Sequence, residues 1–174
     1  MSSNSISISV IMPAYNEEPS ILSAVRQNMD TFGSLGLDYE IIIVDDKSTD
    51  RTGLIGSGLA DKHPEISYYG HEKNLGQGEA FQAGVYQAKK EYVMFVPFDN
   101  PLEPKDLEPY LPRAIICDIV VGVRVARVGY SNFSRFASFF YNRIMIPLLF
   151  NIGVSDVNWI SIYRRSHFVD GTLT

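Results

Sequence analysis

At 174 residues, 45% of them hydrophobic and 20% charged, the chain has the length and balance of one soluble globular domain with a real core. A formal net charge of -5 excludes general affinity for nucleic acid, and any phosphorylated ligand must be met by local basic groups or a divalent cation. Cys117 is the only cysteine, which excludes an intramolecular disulfide and fits a reducing compartment; the polar start MSSNSIS does not read as a secretory signal, and no stretch reaches the ~20 apolar residues of a membrane span.

The first apolar run, Ile6 to Met12 (ISISVIM), alternates and then becomes continuous, as a buried strand does. Pro13 is expected to end it, with AYNEE as the following loop. Ser20 stands where an N-cap belongs, ahead of Leu22, Val25, Met29 and Phe32 at helical spacing, and Gly33 and Gly36 close that helix. Tyr39 to Val44 (YEIIIV) is a second buried strand that ends in Asp45 and Asp46. KSTDRTG then starts a helix to about Lys62, with Ser48 or Thr49 available to cap it and Gly53, Gly56 and Gly58 weakening it.

Ile66 to Tyr69 is a short strand, and NLGQGEAFQAGVYQAKK is a glycine-rich loop feeding a helix, with Ala80, Ala83 and Ala88 as small packing residues. Tyr92 to Val96 (YVMFV) is the next strand; it stops at Pro97, and Asp99 follows at once. Pro104 to Leu111 is a short helix with Pro in its first turn, and Asp118 to Val123 is a fifth strand. Asn132 to Phe150 is a long aromatic-rich helical pattern interrupted by Pro147. Strands alternating with helices imply βαβ units, hence an α/β domain with a mostly parallel sheet and helices on both faces. There is no internal repeat, and the ending without a closing element leads us to expect a single domain over 1–174, truncated at its C-terminus.

Parallel strands put their carboxyl ends together, so PAYNE after the first strand, Asp45-Asp46 after the second and Asp99 after the fourth converge on one edge, where open sheets bind ligands. Asp99 alone reads equally as a turn residue or as a ligand group; three acidic strand ends together favour a site. A dinucleotide site is excluded because PAYNEE, not G-x-G-x-x-G, follows the first strand, and a P-loop because G-K-[ST] is absent. NLGQG either cradles phosphate with backbone N–H groups or permits close helix packing. His63, His71 and His167 are scattered, so zinc is not expected.

PAYNEE after the first strand, VDDKSTDRT after the second and NLGQGEAFQAG before the fourth resemble glycosyltransferase family 2, most of all the dolichyl-phosphate mannose synthases and related polyprenyl-phosphate glycosyltransferases. The resemblance covers about Ile8 to Arg165. It implies a GT-A fold, a nucleotide-diphospho-sugar donor, and Mg²⁺ or Mn²⁺ as cofactor. It assigns Pro13, Ala14, Tyr15, Glu17 and Gly76 to the donor-binding loops, Asp46 to the base or ribose, and Asp99 to the metal as the second acid of a D-x-D motif. Pro97 stands where the first acid of that motif is usual.

The second half matches more sparsely. Gly122 and Arg124 fit the family's G-x-R, while Arg135, Ser138 and Asn142 fit R-x-x-S-x-x-x-N, which the resemblance places near an acceptor phosphate. A guanidinium suits that task, although Arg135 reads equally as a surface residue of an amphipathic helix. Asp156 matches a further acid, the general base that a hydroxyl acceptor would need; DVNWISIYRR lacks the Gly-Phe pair of the closing motif. The resemblance implies an inverting sugar transfer to a polyprenyl phosphate or a saccharide. Phe133, Phe136, Phe139, Phe140, Tyr141, Leu148, Leu149 and Phe150 beside Arg127, Arg135 and Arg143 suit either a lipid interface or packing on the sheet. The expected location is the cytoplasm or the cytoplasmic face of a membrane. The rival readings are a nucleotidyltransferase, which the missing G-x-G-T-R loop opposes, and a non-catalytic domain that keeps the donor pocket or serves in interactions.

Overall fold

A computed structural model of the chain describes residues 6–100, 102–122 and 160–169. In chain order these form β1 (Ser7–Ala14), α1 (Ile21–Ser34), β2 (Asp38–Asp45), α2 (Thr52–Ala60), β3 (Ile66–Gly70), α3 (Gln77–Gln87), β4 (Tyr92–Phe95), α4 (Pro104–Leu107), α5 (Leu111–Ala114), β5 (Ile119–Val121), β6 (Ser161–Arg164) and α6 (Ser166–Val169). The strands join in one sheet ordered β3-β2-β1-β4-β6-β5. β1 pairs in parallel with β2 and β4, β2 in parallel with β3, and β6 antiparallel with β4. The chain divides into two compact units, Met1–Val120 with Ile162–Thr174, and Val121–Ser161. In the second, the Gly122 N–H donates to the Ile160 carbonyl at 2.7 Å.

The continuous apolar runs of β1, β2 and β4 are buried on both faces, as central parallel strands must be. Ile11, Ile42, Val44 and Val93 pack with Ala80, Val85 and Ala88, the buried side of α3 and of the turn that follows it. Gly84 makes that approach possible: a Cβ there would lie 2.4 Å from Ile11 Cγ2. The alternate residues Val10, Met12, Ile41, Ile43 and Met94 are equally buried and face the other side. There α1 covers the sheet with Ile21, Ala24, Val25, Asn28, Thr31 and Phe32. The apolar stripe is therefore rotated from the expected one, since Leu22 is exposed. Gly36, at φ 64, ends α1 in a Schellman turn, with Leu37 N–H on Phe32 O and Gly36 N–H on Gly33 O; Gly33 lies inside the helix.

Several boundaries differ from expectation for physical reasons. Pro13 does not end β1, which runs on through Ala14 opposite Asp45. Backbone groups alternate sides along a strand, and Ile11 O accepts from Val96 on the β4 side. The missing N–H of Pro13 therefore falls on that side, beyond the last paired residue of β4, and forfeits no ladder bond. The single helix expected over Pro104 to Leu111 is two short ones, α4 and α5. β6 was not foreseen: IYR of the closing segment pairs with β4, placing Arg164 opposite Tyr92. Its guanidinium donates to Asp118 Oδ1 at 2.8 Å and to the Tyr92 hydroxyl at 2.9 Å.

At the amino ends of the strands, Ser9 and Glu40 replace apolar pairs. Ser9 Oγ donates to Glu40 Oε1 at 2.7 Å, and the same oxygen accepts the Lys89 N–H at 2.7 Å. This closes the turn between α3 and β4.

Gly84→Ala tests the packing of α3. Overpacking a dense core costs about 1–3 kcal/mol, against about 1 kcal/mol gained in helix propensity. Urea denaturation should show a net loss of stability, and a midpoint equal to or above wild type would contradict the packing described.

Candidate active site

Because β1 to β4 are parallel, the chain leaves Ala14, Asp45, Gly70 and Phe95 at one edge of the sheet. The strand order reverses at β1, with β2 and β3 to one side and β4 to the other. Open α/β sheets bind ligands in the crevice at such a reversal, here flanked by the loops after β1 and β4.

The loop after β1 is fastened to the loop after β2. Asn16, in the left-handed region at φ 57, donates its N–H to Ser48 Oγ at 2.9 Å and accepts the Thr49 N–H at 2.8 Å through Oδ1. The Glu17 N–H donates to Thr52 Oγ1 at 2.7 Å, and the Glu18 N–H to Asp50 Oδ2 at 3.1 Å. In return the Arg51 N–H donates to Glu18 Oε2 at 2.9 Å and its Nε to Oε1 at 2.7 Å. That guanidinium holds the Glu18 carboxyl below its ordinary pKa. The exposed ion pair by itself contributes little; the strength of the seam lies in the backbone N–H groups it satisfies. Ser48 and Thr49 are thus cross-loop partners and not the expected caps of α2, whose N-cap is Arg51. Ser20 does sit at the N-cap of α1, but its hydroxyl bonds to the Glu17 carboxylate instead of capping the helix.

Asp45 and Asp46 turn to opposite faces, as successive strand residues do. Asp45 Oδ1 accepts the Ser48 N–H at 2.9 Å, and Oδ2 accepts the Tyr68 hydroxyl at 2.9 Å. The Tyr68 ring lies against α2, where Gly53 and Gly56 leave it room: a Cβ on Gly56 would stand 2.8 Å from the ring. These glycines, read in sequence as weakening the helix, make space. Asp46 Oδ1 accepts the Leu75 N–H at 2.8 Å and lies 2.9 Å from His71 Nδ1, while Oδ2 accepts the Gly76 N–H at 2.7 Å. Burial alone would raise the pKa of Asp46, and these hydrogen bonds outweigh it, so the carboxyl titrates below its ordinary value. The N–H groups of Leu75 and Gly76 therefore point to Asp46 and are not free to cradle phosphate.

Asp99 lies on a pinned loop. Phe98 and Leu102 are buried on either side of it. The Leu102 N–H donates to Asn28 Oδ1 at 3.3 Å, and its carbonyl accepts the Thr31 hydroxyl at 2.7 Å. Asp99 itself is exposed and engages no partner among the described residues. Those residues contain no group of three or more His, Cys, Asp or Glu able to hold a metal alone. A hard cation fits here as one that takes Asp99 together with ligand phosphates, an arrangement Mg²⁺ commonly adopts.

Among the other expected residues, Pro13 and Ala14 are buried and present only backbone, and the Ala14 carbonyl accepts the Asp46 N–H at 2.8 Å. The Tyr15 ring is half exposed at the edge. Gly76, at φ 93, holds a conformation that side chains resist. Arg124, Arg135, Ser138, Asn142 and Asp156 lie outside the described residues, as does the aromatic stretch proposed for lipid contact. The sequence alone assigns no role to Asn28, Thr31 or Tyr68, and raises His71 only as a candidate zinc ligand. The legible signal for the first two was a pair of polar residues within the apolar stripe of α1.

A sequence profile described as glycosyl transferase family 2 matches residues 9–171. The chain is 29% identical over 167 residues to an undecaprenyl-phosphate 4-deoxy-4-formamido-L-arabinose transferase of Pectobacterium carotovorum, covering 95% of this chain and 51% of that protein. It thus spans about half the length of the curated relatives it matches. Among solved structures it is similar to residues 1–349 of S. aureus TarS in complex with UDP-GlcNAc, with a TM-score of 0.66 at 22% identity, covering 97% of this chain and 48% of that one. It is also similar to the mannosyltransferase PcManGT of Pyrobaculum calidifontis in complex with GDP-Man and Mn²⁺, with a TM-score of 0.65 at 17% identity, covering 97% and 47%. The expected GT-A fold is the fold of this chain.

Burial, then the bond to Asp45, push the Tyr68 phenol up to about 12. A raised folded pKa stabilises fully below the unfolded value near ~10, and the contribution is lost as pH rises through the folded one. The difference in tyrosinate absorbance between wild type and Tyr68→Phe should therefore show a step near pH 12, with a step near 10 contradicting the assignment. Losing this hydrogen bond should cost about 1–2 kcal/mol of stability.

Proposed function

The chain belongs to glycosyltransferase family 2, and from that premise we propose that it transfers a sugar from a nucleotide-diphospho-sugar to a polyprenyl phosphate, with inversion at the anomeric carbon. The observation that carries this reading is the strand-order reversal at β1, flanked by the fastened loop after β1 and by the loop after β4, where Asp99 is exposed and has no partner among the described residues. The names of the relatives support the acceptor class, and the complexes of the structural neighbours support the donor class.

The Tyr15 ring and the backbone of Pro13 to Glu17 border the nucleoside, with Asp46 and Gly76 shaping the floor. Asp99 would hold Mg²⁺ or Mn²⁺ together with the donor's diphosphate. Such a cation supplies charge neutralisation for the departing nucleoside diphosphate. Arg135 and Ser138 would receive the acceptor phosphate, with Arg124 and Asp156 at the reacting centre. An anionic phosphate acceptor needs positioning and no general base; a saccharide acceptor would need Asp156 in that role. No helix among the described residues is long and apolar enough to cross a membrane. Pro97 in place of an acid favours one other reading, a domain that binds the donor without turnover, and donor hydrolysis over several nucleotide sugars separates the two.

A thermal-shift screen with UDP and GDP, with and without Mn²⁺, tests the donor site. Saturation near a hundredfold over Kd stabilises by about 2.7 kcal/mol, a rise in Tm of roughly 5–10 °C for a chain of this size. No shift with any nucleotide contradicts the proposal. Asp99→Ala should abolish the metal-dependent part of nucleotide affinity measured by calorimetry, and an unchanged affinity with Mn²⁺ would remove Asp99 from the metal site.

A further inference from the structure

The buried face of α1 carries two polar residues one turn apart, Asn28 and Thr31. They are 0% and 3% exposed. Aliphatic side chains would cover the strands as well, and a buried amide or hydroxyl is costly unless it is hydrogen-bonded. Both are bonded, and both to one residue of another segment. Asn28 Oδ1 accepts the Leu102 N–H at 3.3 Å, and the Thr31 hydroxyl donates to the Leu102 carbonyl at 2.7 Å. Asn28 Nδ2 donates to the Ala24 carbonyl at 2.9 Å, which leaves its oxygen for the loop. Among the described residues, no other hydrogen bond engages positions 97–102. Pro97 and Pro101 have no N–H to give. The course of the chain past Asp99 is therefore set at one end by the buried Phe98, and at the other by Leu102 with two side chains of α1.

We propose that Asn28 and Thr31 are positioning residues for the cation at Asp99, holding the loop after β4 in its working course without touching cation or nucleotide. This rests on the donor and metal reading above and adds to it the groups that present the carboxylate. An acid held in place before the cation arrives spares binding the cost of ordering it. The same helix starts from the loop after β1, where the Ser20 and Ile21 N–H groups donate to the Glu17 carbonyl at 3.0 and 2.8 Å. One helix thus engages the loops on both sides of the crevice.

Thr31→Val in the full chain tests it, because valine keeps the shape and loses the hydroxyl. Calorimetry with UDP or GDP gives the ratio of nucleotide Kd without Mn²⁺ to Kd with it. That ratio should fall on the order of tenfold, the lower end of the loss when a group behind a metal ligand is removed, while the metal-free Kd stays unchanged. Asn28→Leu should act in the same direction, and Thr31→Ser should restore the ratio. A wild-type ratio in Thr31→Val, a metal-free affinity that falls equally, or no rescue by serine would each overturn the proposal. Gly84→Ala, which lowers stability on the opposite face of the sheet, should leave the ratio as in wild type; an equal loss there would reduce the effect to general destabilisation and overturn it as well. If Thr31→Val does not fold, amide hydrogen exchange in the wild-type protein decides. Leu102 should be protected without ligand, and UDP or GDP with Mn²⁺ should slow its exchange no more than that of Met94 in β4. Protection of Leu102 that arises only with ligand would show that the ligand orders the loop, and would overturn the proposal. A wild type whose nucleotide affinity does not respond to Mn²⁺ is a separate result, overturning the metal reading and the inference with it.

Discussion

Two consecutive carboxylates at the end of β2 hold the functional edge of this protein together. Strand alternation sends Asp45 to the α2 face and Asp46 to the α3 face, so neighbours in sequence serve different loops. Asp45 fixes the turn at Ser48 and the Tyr68 ring, and its carbonyl takes the His71 N–H. Ser48 in turn receives Asn16 from the loop after β1. Both acids are nearly out of water, where an unpaired charge would be costly, and both are matched by several donors. The edge is therefore ordered by the protein itself and needs no ligand to assemble it.

The other wall of the crevice is built differently. After β4 the chain is held by two buried side chains, Phe98 and Leu102, and by Asn28 and Thr31 reaching out of α1 to the backbone N–H and carbonyl of Leu102. Asp99 gains its exposure from this anchoring, since a loop pinned on both sides can present one residue without letting it fold back. Pro97 leaves Asp99 as the one carboxylate of that turn, and a cation proposed there would draw ligands from the nucleotide's phosphates as well. A metal that arrives with its donor fits such a wall better than one resident in advance.

The alternation of apolar runs with helical patterns was enough to read the α/β class and the first four strands, because central parallel strands carry almost uninterrupted β-branched sequence. The convergence of PAYNE, Asp45-Asp46 and Asp99 on one edge followed from parallelism alone. What the sequence concealed was direction. Alternation puts Asp45 and Asp46 on opposite faces, but nothing in VDDKSTD says which loop each acid serves, or that Ser48 and Thr49 serve a neighbouring loop instead of their own helix. Glycines misled for a related reason: Gly53 and Gly56 look like poor helix formers until the Tyr68 ring is seen against them. β6 was hidden because a four-residue strand joining the sheet antiparallel leaves no periodic signature of its own.

The central claim is that a nucleotide and a divalent cation meet at the β1/β4 reversal. Paramagnetic broadening of backbone amide signals by Mn²⁺ in the presence of UDP or GDP tests it most directly. The account predicts the strongest broadening at Phe98, Asp99 and Asn100, weaker broadening across Tyr15 to Glu17, and little at Lys89 to Glu91 at the far end of the sheet. Broadening centred on that far end, or spread evenly over the exposed carboxylates whether or not nucleotide is present, would contradict it.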